Sequence, residues 1–132
     1  MTSQEGPFAR RLRILLAEDE ALIGLAAEAE LTEHGHEVVL VGDGAAALEA
    51  EAAHGPFDLL VTDMQMPRLR GDALARRLRL ARPDLPLVVM SANHVPETVA
   101  GLRALGGPIA ILTKPVPFGD LSAAVARLAQ GG

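Results

Sequence analysis

Five side chains with the chemistry of charge and phosphoryl handling stand at the ends of separate apolar runs. Glu18 and Asp19 follow the first run, Asp63 ends the third, Ser91 the fourth, and Lys114 the fifth. Carboxylates crowded together repel and resist ionisation unless a cation joins them. All-oxygen carboxylate ligands suit a hard divalent ion, and Mg²⁺ completes its shell with waters and phosphate oxygens. Such an ion would neutralise charge on an incoming phosphoryl group while one carboxylate attacks in line. Carboxylates do act as covalent nucleophiles in this way, with the protein supplying mainly positioning and electrostatics. Lys114 is the chain's only lysine, the other basic residues all being arginines. A compact ammonium suits a phosphoryl oxygen as a point charge.

Each residue also has a plainer use. Glu18-Asp19-Glu20 fits the acidic first turn of a helix, favoured by the macrodipole. Asp63 fits a turn ahead of Pro67, Ser91 a cap, and Lys114 an ordinary surface position. One shared site accounts for all of them more simply than separate coincidences at four strand ends.

The elements that must position these groups alternate along the chain. Short apolar runs at residues 12–17, 38–41, 57–61, 86–90 and 108–112 read as buried strands. Helical spacing lies between them: Leu22, Leu25, Ala26 and Ala29 form the expected stripe of the first helix, and Ala46, Leu48 and Ala52 that of the second. Leu74, Leu78 and Ala81 serve the third, Val99, Leu102 and Leu105 the fourth, and Leu121, Val125 and Leu128 the last. Asp43 reads as the second helix's N-cap, and Gly35, Gly55-Pro56, Pro83 and Gly106-Gly107-Pro108 fall at helix stops. Five strand–helix pairs imply an α/β domain with a mostly parallel sheet covered on both faces. In such sheets ligands sit beyond the carboxyl ends of the strands, where the five side chains gather.

Composition narrows the function classes. A chain of 132 residues has room for one domain, and 49% hydrophobic content supports a sizeable core. The aromatic share is 2%, limited to Phe8, Phe57 and Phe118, which argues against stacking on nucleic-acid bases. A net charge of −5 argues against general phosphate-backbone binding. With no cysteine there is no disulfide, thiol catalysis or thiolate metal site, consistent with a cytoplasmic protein. No apolar run reaches membrane-spanning length, and residues 1–10 read as a flexible tail rather than a secretion signal.

The motifs resemble the receiver domain of bacterial response regulators in two-component signalling. They are Ile14-Leu15-Leu16-Ala17-Glu18-Asp19-Glu20, then Leu59-Leu60-Val61-Thr62-Asp63-Met64-Gln65-Met66-Pro67 with Gly71 beyond, Val88-Val89-Met90-Ser91-Ala92, and Leu112-Thr113-Lys114-Pro115. The resemblance implies a flavodoxin-like (βα)5 fold with strand order 2-1-3-4-5 over residues 11–130. It implies that Asp63 accepts a phosphoryl group from a histidine kinase or histidine phosphotransferase, with Mg²⁺ held by Glu18, Asp19, Asp63 and the backbone carbonyl of Gln65. Ser91 and Lys114 would bind the phosphoryl oxygens and transmit the change. The Lys114–Pro115 bond is often cis in the family. The expected protein is a stand-alone receiver, not an enzyme in its own right beyond self-phosphorylation and slow dephosphorylation. It would signal to a downstream protein through the fourth helix, fifth strand and fifth helix, without binding nucleic acid or membrane.

The sequence departs from the family at the position three before the lysine, where the usual aromatic is Ile111. The usual hydroxyl–aromatic coupling therefore cannot operate as drawn. Glu18 replaces the commoner Asp, and Gln65 and Asn93 occupy places that tune phosphate lifetime. An aspartate-dependent phosphatase would need a second acid two positions after the nucleophile, where this chain has Gln65. A nucleotide or flavin binder would want a phosphate-friendly loop after the first strand, and Glu18-Asp19-Glu20 repels one. The remaining alternative is a receiver-like adaptor that binds its partner regardless of phosphate. Arg68, Arg70, Arg76, Arg77, Arg79 and Arg82 read as a solvated helix face, with a basic docking patch as the alternative, and His34-Gly35-His36 as a surface turn. His94 falls just beyond Ser91, and Phe118 is expected to anchor the last helix.

Overall fold

Strands built from unbroken apolar runs need cover on both faces. The computed structural model, which describes residues 11–92 and 96–131, provides it. The elements alternate as β1 (Arg13–Ala17), α1 (Ala21–Glu33), β2 (Glu37–Val41), α2 (Gly44–His54) and β3 (Leu59–Asp63). Then come α3 (Gly71–Ala81), β4 (Leu87–Ser91), α4 (Pro96–Ala104), β5 (Ile109–Thr113) and α5 (Asp120–Gly131). The strands form one parallel sheet in the order β2-β1-β3-β4-β5. The flavodoxin-like order implied by the motifs is the order observed.

Alternation along each strand divides the core into two. Leu15, Ala17, Leu60 and Val89 face one apolar cluster, with Ala47 of α2, Leu74 and Leu78 of α3 and Leu102 of α4. Ile14, Leu16, Val61 and Met90 face the other, with Ala27 and Leu31 of α1 and Leu121 and Val125 of α5. Helices α1 and α5 thus cover one face of the sheet, and α2, α3 and α4 the other.

Several sequence expectations are corrected, among them the inward places expected for Ala81 and Leu105, which are exposed. The α1 stripe points outward: Leu22, Leu25, Ala26 and Ala29 are exposed, whereas Gly24, Ala27, Glu30 and Leu31 are buried. This helix is apolar nearly all round, so periodicity alone does not choose its buried face. In α2 the inward residues are Gly44, Ala47 and Ala50, and Ala52 is exposed. Phe118 does not anchor α5, being 80% exposed. Instead Glu30 reaches across from α1 and accepts a 2.8 Å hydrogen bond from the Ser122 backbone N–H in the first turn of α5.

The arginine run is not uniformly solvated either. Arg79 is 4% exposed, and its guanidinium donates to the carbonyls of Leu85, Gly106 and Pro108, tying α3 to the starts of β4 and β5. His36 is half-buried, and its Nδ1 accepts the Leu12 N–H at 3.1 Å, joining the starts of β1 and β2. Asp43 caps α2 as expected, accepting from Ala46 N–H at 2.8 Å. Asn93, His94 and residues 1–10 lie outside the described residues.

Candidate functional site

Strand register carries the polar groups to one edge of the sheet. Ala17 pairs with Thr62, Asp63 with Met90, and Ser91 with Thr113. The residues that follow therefore converge beyond the strands' carboxyl ends. Three backbone bonds continue the pairing there: Glu18 N–H to Val41 O, Met64 N–H to Met90 O, and Lys114 N–H to Ser91 O, each 2.8–3.0 Å. Glycine closes the third connection, because Gly71 N–H bonds Met64 O at 2.9 Å and a Cβ there would overlap the Asp63 carbonyl. The Lys114–Pro115 peptide bond is cis.

At the centre, Lys114 Nζ lies 3.0 Å from Glu18 Oε1 and 3.2 Å from Asp63 Oδ2. Glu18 and Asp63 are buried and Asp19 is exposed at the rim. Burial pushes the Glu18 carboxyl above its usual range, opposed by the Glu20 N–H and Lys114. Burial also pushes Asp63 up, opposed by Lys114 and by a hydrogen bond from the Gln65 backbone N–H. Burial draws the Lys114 ammonium down, but Glu18 and Asp63 outweigh it and the net direction is upward. One ammonium thus partly neutralises two carboxylates that have lost their water.

Carboxylate oxygens of Glu18, Asp19 and Asp63 lie within 4.8 Å of one another. Glu18 Oε1 is buried and meets Lys114 as an ion pair without a well-formed hydrogen bond. The donors are all oxygen and the local charge is incompletely balanced, so the residues fit a hard divalent cation. A crevice of about 360 Å³ opens over them, lined by Asp19, Asp63, Gln65, Ala92 and Lys114. Ser91 is buried at the end of β4, on the strand adjacent to Asp63.

An apolar groove of about 220 Å³ adjoins this crevice, between Ile23 and Ala26 of α1 and Pro115, Phe118 and Leu121. Sequence reasoning missed this feature because it assigned the outer residues of α1 and Phe118 to the core. An exposed phenylalanine across a groove from Ile23 and Ala26 is visible only once the helix is rotated correctly.

The sequence matches the family described as the response regulator receiver domain over residues 14–126. It is 39% identical over 118 residues to response regulator MprA of Mycobacterium leprae, covering 89% of this chain and 50% of that protein. The chain spans about half the length of the curated relatives it matches. Among solved structures, the Francisella response regulator 1452 receiver domain superposes with a TM-score of 0.80 at 27% identity, covering 91% of this chain and 98% of that one. A response regulator receiver domain protein from Clostridium thermocellum gives 0.78 at 27% identity, covering 90% and 94%. Fold, strand order and sequence agree: the chain belongs to the receiver domain family of two-component response regulators.

Proposed function

We propose that residues 11–130 form a phosphoryl-accepting receiver in which Asp63 is the acceptor. The observation that carries this reading is Lys114 bridging Glu18 and Asp63 beside the third carboxylate, Asp19. Glu18, Asp19, Asp63 and the Gln65 carbonyl would hold Mg²⁺, which supplies neutralisation of phosphoryl charge when bound. A carboxylate oxygen of Asp63 attacks phosphorus as the bond to the donor breaks. With a phosphohistidine donor, the P–N electron pair returns to the imidazole. Lys114 moves from pairing carboxylates to pairing a phosphoryl oxygen, and the Ser91 hydroxyl donates to another.

The donor would be a histidine kinase or phosphotransferase docked on the exposed α1 face and the neighbouring groove. Leu22 is 83% exposed and Leu25 54% on α1, and Phe118, 80% exposed, lines the groove that adjoins the acceptor crevice. Apolar patches of this kind mark protein contacts. A downstream protein would read the phosphorylated form on α4, β5 and α5, in a cytoplasmic phosphorelay.

A second reading is a receiver-like adaptor that binds independently of phosphate. Ile111 favours it, since it packs on the apolar cluster shared with α3 and α4 and has no ring to swing. Incubation with Mg²⁺ and acetyl phosphate separates the two. Mg²⁺-dependent gain of one phosphoryl group supports the receiver reading, and no gain leaves the adaptor.

A further inference from the structure

The connection from β3 to α3 carries a constraint that its sequence alone does not explain. Arg68 has φ 71°, in the left-handed region, and Leu69 N–H donates to Pro67 O at 2.8 Å, making a three-residue turn around it. A non-glycine residue stays there only when its surroundings over-determine the backbone. Those surroundings are the first turn of α2. Gly44 is buried against Leu69 so closely that a Cβ would overlap the Leu69 carbonyl oxygen and stand 2.6 Å from Leu69 Cβ. Beside it, Asp43 Oδ2 faces Arg68 Nε at 3.6 Å while Oδ1 caps the helix. Met66 and Leu69 pack into the core cluster shared with α2. The other end of this loop is Gln65, whose N–H bonds the Asp63 carboxylate.

We propose that Gly44 and Asp43 are positioning residues for the acceptor site, acting through Leu69 and Arg68 to hold the loop that sets Gln65 against Asp63. The inference rests on the acceptor role of Asp63 proposed above. It assigns to the start of α2 a duty separate from capping. The Gly44 contact is the main element, because an ion pair with an arginine side chain 73% exposed contributes little.

The test uses the full chain with Gly44→Ala and Asp43→Asn, the second retaining a good cap. Amide hydrogen exchange is followed at residues 64–70 and, as a control, in α5. The rate of phosphorylation by acetyl phosphate is measured against Mg²⁺ concentration. Groups that orient metal ligands typically change metal affinity by about 10- to 100-fold when lost. Gly44→Ala is expected to raise the half-maximal Mg²⁺ concentration about tenfold with the saturated rate largely kept. Exchange at residues 64–70 should quicken while α5 is unchanged. Asp43→Asn should shift both in the same direction by less. Unchanged loop exchange and Mg²⁺ dependence, or an equal rise in α5 that marks only global destabilisation, overturns the proposal. Should Gly44→Ala not fold, Leu69→Ala decides, since it removes the side chain that seats the loop against the core shared with α2: quicker exchange at residues 64–70 with α5 unchanged supports the proposal and wild-type exchange overturns it. Absence of phosphorylation in the wild type would remove the acceptor reading. Loop exchange in the variants would then still support or overturn the hold of α2 on the loop.

Discussion

Lys114 Nζ stands 3.2 Å from Asp63 Oδ2, so the ammonium of the chain's only lysine already touches the carboxylate proposed to take the phosphoryl group. The same nitrogen touches Glu18, whose side chain is fully buried. Lys114→Ala therefore leaves two desolvated carboxylates facing each other. Breaking a buried pair typically costs ~3–5 kcal/mol, and water reaching Asp63 through the open crevice reduces this to about 2 kcal/mol here. Urea unfolding without Mg²⁺ should show that loss, and added Mg²⁺ should recover part of it by binding the folded form. Phosphorylation by acetyl phosphate should slow about 100-fold, the usual scale for removing one charge stabiliser.

The α1 face gives a prediction that separates docking from chemistry. Leu22→Glu or Leu25→Glu places a charge on the exposed apolar surface without touching the core. Phosphorylation by acetyl phosphate should be unchanged. Transfer from a cognate histidine-phosphorylated protein should fall about tenfold or more, equivalent to ~1.4 kcal/mol of binding. Equal rates from the protein donor would place the docking surface elsewhere.

Much of the site was legible because receiver chemistry sits at strand ends, which apolar runs and punctuation mark directly. Glu18, Asp19, Asp63 and Lys114 come together as their positions in the sequence suggested. What was not legible depends on rotation and distance. Helix α1 lacks a polar face to orient it, so Leu22 and Leu25 read as core although they face solvent. Glu30 carries no local signal, because the Ser122 N–H that it accepts in α5 lies ninety-two residues away in sequence. Arg79 sat within a run of arginines, and only the tertiary structure distinguishes the one that bonds three carbonyls.

Glu30→Ala removes the acceptor of the Ser122 N–H inside the α1–α5 contact. Loss of a helix cap or of a buried hydrogen bond costs about 1–2 kcal/mol. Equilibrium unfolding should show a loss on that scale, while Glu30→Gln, which keeps an oxygen acceptor, should lose less.

His36 makes the fold acid-sensitive at the sheet end opposite the site. Burial lowers its pKa below 6.5, helped by His34 and Arg11, and its Nδ1 must remain unprotonated to accept from Leu12. The folded pKa is depressed, so this contribution is complete above the unfolded value of 6.5 and is lost as pH falls toward the folded value. Unfolding measured at pH 7.5 and at successively lower pH should show a decline that His36→Asn reduces. An identical pH profile for the variant would contradict the assignment.

The central claim is that Asp63 takes the phosphoryl group. Wild-type protein and Asp63→Asn, each with Mg²⁺ and acetyl phosphate, are compared by intact mass. The wild type is predicted to gain one phosphoryl group, which a chelator prevents, and the variant none. An adduct of equal extent in Asp63→Asn, or none in the folded wild type, would contradict it.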